Sequence, residues 1–129
     1  MARGLTRRTE PTESQIQAAF IEWCRASESR YPALKLAFAV PNGSYRHIAT
    51  AVRAKREGQR AGVPDWILPV SPTVGKFGDM CLMLEFKRPG QRATPEQKRY
   101  HELARFHMNR VEIVTSAEQA IKIVKEYLG

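Results

Sequence analysis

Cysteine is scarce in this sequence, two in 129 residues, and Cys24 and Cys81 lie far apart within apolar surroundings. Two such thiols make no disulfide framework, and both are expected free and buried in a reducing cytoplasm. Long apolar runs are missing too; none approaches the roughly 18 residues a membrane span requires. The basic opening, Met1-Ala2-Arg3-Gly4-Leu5-Thr6-Arg7-Arg8, has no apolar stretch behind it, so residues 1–11 read as a short flexible arm rather than a signal peptide. His47, His101 and His107 lack the spacing of a zinc site. No glycine loop ending in lysine is present to cradle nucleotide phosphates, which leaves ATP use without support. No Ser–His–Asp arrangement can be read from spacing, and there is no internal repeat or low-complexity segment.

Acidic residues are in deficit: 13 against 21 lysines and arginines, a formal net charge of +8. With no lipid motif, that excess points to nucleic acid rather than to a membrane as the polyanionic partner. Hydrophobic residues at 43% and charged residues at 26% are ordinary for a globular chain. The length suits one domain with one core, taken as residues 12–129.

Helix starts are the sharpest local signals. Thr12-x-x-Gln15, Thr94-x-x-Gln97 and Ser116-x-x-Gln119 each match a capping box. Pro95 falls at the first helical position of the second, where its missing N–H costs nothing. The first helix is expected over Glu13–Ser27, with Ile16, Ala19, Phe20 and Trp23 as its buried stripe. Leu34–Val40 reads as a strand closed by Pro41-Asn42-Gly43, and Arg46–Arg60 as a polar, basic helix. Trp66–Val70 and Met80–Lys87 read as a hairpin with a longish loop. A helix from Pro95 to near Asn109, a strand over Val111–Thr115 and a helix over Ala117–Leu128 complete the order. The strand–helix–strand passage demands a parallel pair, so the fold is α/β: a mixed central sheet flanked by helices.

Period-2 geometry puts Glu85 and Lys87 on one face of their strand, with Phe86 on the other. A carboxylate and an ammonium then close an otherwise apolar strand, at the end where open α/β sheets place ligands. Asp65 opens the preceding strand, and antiparallel pairing brings it beside that end. Two converging carboxylates suit Mg²⁺, which keeps several waters and takes one or two protein carboxylates plus phosphate oxygens. The carbonyl of Phe86 could add a ligand, and Lys87 could orient a water and stabilise charge on a phosphate. Plainer readings exist: Glu85 and Lys87 as a surface ion pair, Asp65 capping a turn, Glu13 favouring a helix start, Gln97 serving only its capping box. Arg53, Arg56 and Arg60, with Arg46 one heptad earlier, form a stripe suited to a phosphate track, or a merely solvated face. Arg92 and Lys98 are expected to meet a DNA backbone.

Pro64-Asp65…Glu85-Phe86-Lys87 resembles the signature of the PD-(D/E)XK nuclease superfamily, which implies a restriction-endonuclease-like core. The ordered landmarks narrow the resemblance: Glu13, Pro41-Asn42-Gly43 with Arg46, a basic helix, Gly62-Val63-Pro64-Asp65, Glu85-x-Lys87 and Thr94-x-x-Gln97. Together they are similar to VRR-NUC domains, over about residues 12 to 128. By that resemblance Asp65 and Glu85 are expected metal ligands, Lys87 the catalytic lysine, Glu13 an additional acid near the metal, and Gln97 a polar residue on the adjacent helix. The resemblance implies a Mg²⁺-dependent endonuclease, with Mn²⁺ as a substitute, of the small standalone phage and bacterial kind. Such relatives imply branched DNA such as four-way junctions as substrate and a homodimer as the working form. Cleavage of flaps, nicks or plain duplex, or binding without chemistry, are the alternatives.

Overall fold

A computed structural model describes residues 10–41, 48–72 and 79–129. Helix α1 (Glu13–Ala26) leads through a 3-10 turn (Pro32–Leu36) to β1 (Phe38–Ala39), and α2 (Ile48–Arg56) follows. Strands β2 (Trp66–Leu68) and β3 (Leu82–Phe86) precede α3 (Pro95–Phe106), β4 (Arg110–Val114) and α4 (Ala117–Leu128). The sheet order is β1-β2-β3-β4; β1–β2 and β2–β3 are antiparallel and β3–β4 parallel. This is the expected mixed α/β sheet. Most of the N-terminal arm, Asn42 and Gly43 of the expected turn, Arg46 and most of the hairpin loop lie outside the described residues.

The two faces of the sheet are covered unequally. Leu82, Leu84 and Phe86 point to one face, where Phe20 of α1 and Ala120, Val124 and Tyr127 of α4 join Trp66 and Leu68 in the main core. Phe20 meets the Trp66 ring edge-on at 4.8 Å, a favoured aromatic geometry. The opposite face carries Met83, Val111 and Ala104 of α3, with Tyr100 and Cys81 packed beside them. Strand β3 is buried at all five positions, because both faces are roofed. Its polar residue Glu85 is therefore enclosed under α3. No helix among the described residues is long and apolar enough to cross a membrane.

Both capping boxes at Thr12 and Thr94 form in full, each contributing about 1 kcal/mol to its helix. The third forms only in part: Ser116 Oγ accepts from the Gln119 N–H, but Gln119 Oε1 takes the N–H of Thr115 at 2.8 Å instead of that of Ser116. The expected strand over Leu34–Val40 shrinks to Phe38–Ala39. Pro32 sits in the first turn of a 3-10 segment, and the N–H groups of Leu34 and Ala37 bond back to Tyr31 and Leu34. Its fixed φ favours that turn over extension.

Helix α2 ends earlier than its charge pattern suggested. Gly58 takes φ +107°, Gln59 N–H bonds to the Ala54 carbonyl and Gly58 N–H to that of Lys55, a Schellman motif. The same pair of bonds closes α3, from Asn109 to Ala104 and from Met108 to Arg105. There the left-handed residue is Met108 at φ +71°, not the Asn109 that its conformational tolerance had favoured. Asn109 is held instead by tertiary bonds: its amide donates to Ala104 O and accepts from Cys81 Sγ at 3.0 Å. Cys24 and Cys81 are free thiols, Cys24 buried and Cys81 only half-buried. Burial first, then the Glu28 charge, pushes the Cys24 thiol up to about 12, so it carries no thiolate at neutral pH.

Candidate active site

The β2–β3 register sets Trp66 opposite Leu84, so Asp65, one step earlier, lies beside the end of β3. Its main-chain carbonyl accepts from Val40 N–H at 2.8 Å, and Oδ2 accepts from Phe86 N–H at 2.7 Å. A carboxylate fixed by a buried peptide N–H is oriented without help from solvent. Pro64 before it is buried, its own φ is fixed by the ring, and it holds Val63 in extended backbone.

Glu85 lies beside it, 2% exposed. Helix α3 addresses both of its oxygens. Gln97 Nε2 donates to Oε2 at 3.3 Å, and His101 Nε2 lies 3.5 Å from Oε1. Burial, followed by the Asp65 charge and a hydrogen bond with Asp65, pushes the Glu85 carboxyl from 4.5 up to about 9; Lys87 pulls it down and Glu13 pushes it further up. Glu85 thus keeps its proton at neutral pH unless a cation replaces it. Lys87, 6% exposed, is the buried counter-charge from the same strand. Glu13 stands half-buried in the first turn of α1 and reaches the site through its charge.

A stability consequence follows, with a definite sign. In the metal-free protein the folded state keeps a proton on Glu85 that the unfolded chain releases above its ordinary 4.5. Stability is therefore fullest below that value and is lost as pH rises toward about 9. Urea unfolding across this window should show a loss of at least about 2 kcal/mol, and Mg²⁺ or Mn²⁺ should reduce it. A profile that stays flat without metal would contradict the enclosed Asp65–Glu85 pair.

Gln97 resolves two readings into one. Its Oε1 accepts from Thr94 N–H at 2.9 Å, completing the capping box, while its Nε2 reaches Glu85. The cap thus fixes the amide that touches the acid. Gly62 explains how α3 comes so close: at φ +86°, a Cβ there would sit 2.6 Å from the carbonyl oxygen of Glu96 and 3.2 Å from the Gln97 nitrogen. Bare backbone from the Asp65 loop packs on the first turn of α3.

Residues expected on DNA fall into separate groups. Arg53 pairs with Glu57 at 3.1 Å on its own helix, both well exposed. Arg56 closes α2, and Arg60 lies beyond the Gly58 turn, off the helical stripe expected for it. Arg60 instead joins Lys55, Arg99 and Tyr100 around a cleft of about 580 Å³ beside α3. Arg92 and Lys98 share a second cleft, about 370 Å³, with Arg105 and His101. Arg46 lies outside the described residues.

The sequence puts His101 on the same helix face as Gln97, Tyr100 and Ala104, turned toward the sheet; the structure adds that it stands against Glu85. It lies four residues after Gln97, one turn along that face. Burial, then the Arg105 and Lys87 charges, holds its pKa below the ordinary histidine value. Among the described residues no three His, Cys, Asp or Glu side chains converge as a ready-made metal cage. A donor set of two carboxylates suits a cation that keeps most of its waters rather than a structural zinc.

The family model for the VRR-NUC domain matches residues 3–118. A solved structure described as a VRR_NUC domain protein superposes with a TM-score of 0.74 at 22% identity, covering 92% of this chain and 89% of that one. No curated protein matches the chain. With the family model covering most of its length and the fold matched by a solved relative, the chain belongs to the VRR-NUC domain family, a nuclease-type domain.

Proposed function

We propose that this protein is a divalent-metal-dependent endonuclease that hydrolyses DNA phosphodiesters and acts on branched DNA as a homodimer. One observation carries the reading: Glu85 is enclosed beside Asp65, its Oε1 has no hydrogen-bond partner, and its carboxyl is driven far above its ordinary range. Two acids forced together are costly unless a cation sits with them. Asp65 and Glu85 would hold it, with the Phe86 carbonyl and Glu13 as further oxygen donors. Mg²⁺, or Mn²⁺ in its place, supplies Lewis acidity toward the phosphate when bound.

The remaining roles belong to side chains of this chain. The Phe86 N–H keeps Asp65 aimed, and Gln97 keeps Glu85 turned toward it. Lys87 orients the attacking water and balances charge that builds on the phosphate as the bond breaks. Arg56, Arg60, Arg92 and Lys98 contact the DNA backbone, as do Arg46 and, once released from Glu57, Arg53. The excess of positive charge draws the duplex in. Two symmetric cuts across a branched junction need two active sites, which a pair of chains supplies.

Incubation with labelled four-way, flap and linear DNA in Mg²⁺ or Mn²⁺ tests this. Metal-dependent cutting, fastest on the four-way junction, with a dimer in gel filtration, is the expected result. Cutting of linear duplex at the same rate would remove the branched-DNA preference. Binding without cleavage under either metal would leave a nucleic-acid-binding module instead.

A further inference from the structure

His101 is almost wholly enclosed, with a side chain 3% exposed, and its Nε2 has no hydrogen-bond partner. The apolar cluster on this side of the sheet is Met83, Ala104 and Val111, while Arg105, Lys87 and Asp65 are the charges that act on the imidazole. The polar atom nearest in purpose is Glu85 Oε1, 3.5 Å away and likewise without a hydrogen bond. Two buried, unsatisfied polar atoms facing each other are either a shared penalty or an interaction that a small movement completes. Gln97, one helical turn earlier, already donates to the other oxygen.

We infer that His101 is a positioning residue for Glu85, forming with Gln97 a two-point clamp from α3 that fixes the carboxylate in the orientation required to hold the divalent cation. The donor is the Nε2–H of the imidazole and the acceptor is Oε1. The present separation is a few tenths of an ångström longer than a formed hydrogen bond. A small rotation of the Glu85 side chain closes it. Gln97 and His101 thus do for an acid what outer hydrogen-bond partners do for metal ligands generally: they select one orientation before the cation arrives. The inference rests on the reading of Asp65 and Glu85 as the metal-holding pair.

Isothermal titration calorimetry of the whole protein with Mg²⁺ and Mn²⁺, without DNA, is the direct test. His101→Leu keeps the apolar volume and removes the N–H, and should weaken metal binding about 10-fold. His101→Gln, which restores an amide donor, should recover most of that loss. His101→Met is the second donorless variant should the leucine one fail to fold. Cleavage should lose apparent metal affinity in the donorless variants while DNA binding measured without metal stays as in the wild type. If the donorless variants change only melting temperature and bind metal as the wild type does, or if His101→Gln behaves like them, the clamp is wrong. Asp65→Asn separates the two readings. Metal binding lost in Asp65→Asn but kept in His101→Leu overturns the clamp alone. Metal binding unchanged in Asp65→Asn, or absent from the wild type, overturns the metal-holding pair on which the clamp rests.

Discussion

Asp65→Asn and Lys87→Ala are both expected to slow cleavage by orders of magnitude while moving metal-free stability in opposite directions. In Asp65→Asn the amide oxygen can still accept from Phe86 N–H, so the bond now made at 2.7 Å survives. What disappears is the negative charge that, after burial, does most to raise the Glu85 carboxyl. The metal-free variant should therefore melt at or above the wild-type temperature at neutral pH, yet cut DNA at least about 10³-fold more slowly. Lys87→Ala removes a charge that pulls the Glu85 carboxyl down. Without metal it should melt lower than the wild type once the pH reaches about 9, where Glu85 would otherwise ionise. It should also lose on the order of 10²–10³ in kcat, the range seen when one preorganised charge stabiliser is deleted. Melting curves and single-turnover cleavage on the same samples separate the two effects. If activity falls only in step with stability, or if either variant cuts at the wild-type rate, the assigned roles are wrong.

Gly62→Ala should be the most damaging single-methyl substitution among the described glycines. The position needs φ +86°, and the added Cβ would meet the Glu96 carbonyl oxygen at 2.6 Å and its carbon at 2.9 Å. Those atoms belong to helix backbone and cannot rotate away. The left-handed conformation costs roughly 1–2 kcal/mol, and displacing the helix end adds about 1–3 kcal/mol of overpacking. Gly58→Ala is the internal control: its φ is +107°, but nothing lies within 4 Å of the new methyl. It should lose only the conformational part. Because Gln97 follows Glu96, Gly62→Ala should also displace the amide on Glu85 and lower metal affinity, which Gly58→Ala should not. Equal melting temperatures for the two variants would refute the close packing.

Much of the candidate site was legible because its determinants are local or follow from strand parity. Alternation along Met80–Lys87 put Glu85 and Lys87 on one face, and the pairing of β2 with β3 delivered Asp65 to them. The Thr12 and Thr94 caps were readable from four residues each, since a hydroxyl and a glutamine three apart bond within a single turn. The misses lie elsewhere. Leu34–Val40 carries strand-like residues, yet Leu36 and Phe38 stay exposed, and only Phe38–Ala39 pairs as strand. Arg60 left its stripe when Gly58 ended the helix, and Gln119 chose Thr115 over its own cap residue.

By itself the sequence determined which elements form, the mixed α/β order and the three groups Asp65, Glu85 and Lys87 at one sheet end. Periodicity, caps and turn residues act over a few positions, and their chemistry is independent of what packs above them. Only the tertiary structure decided that Gln97 caps its helix and touches Glu85 at once, that Gly62 must lack a side chain, and that His101 faces a buried acid. Those facts arise from the few ångströms between α3 and the ends of β2 and β3. No local pattern encodes a distance that is set by how two layers pack.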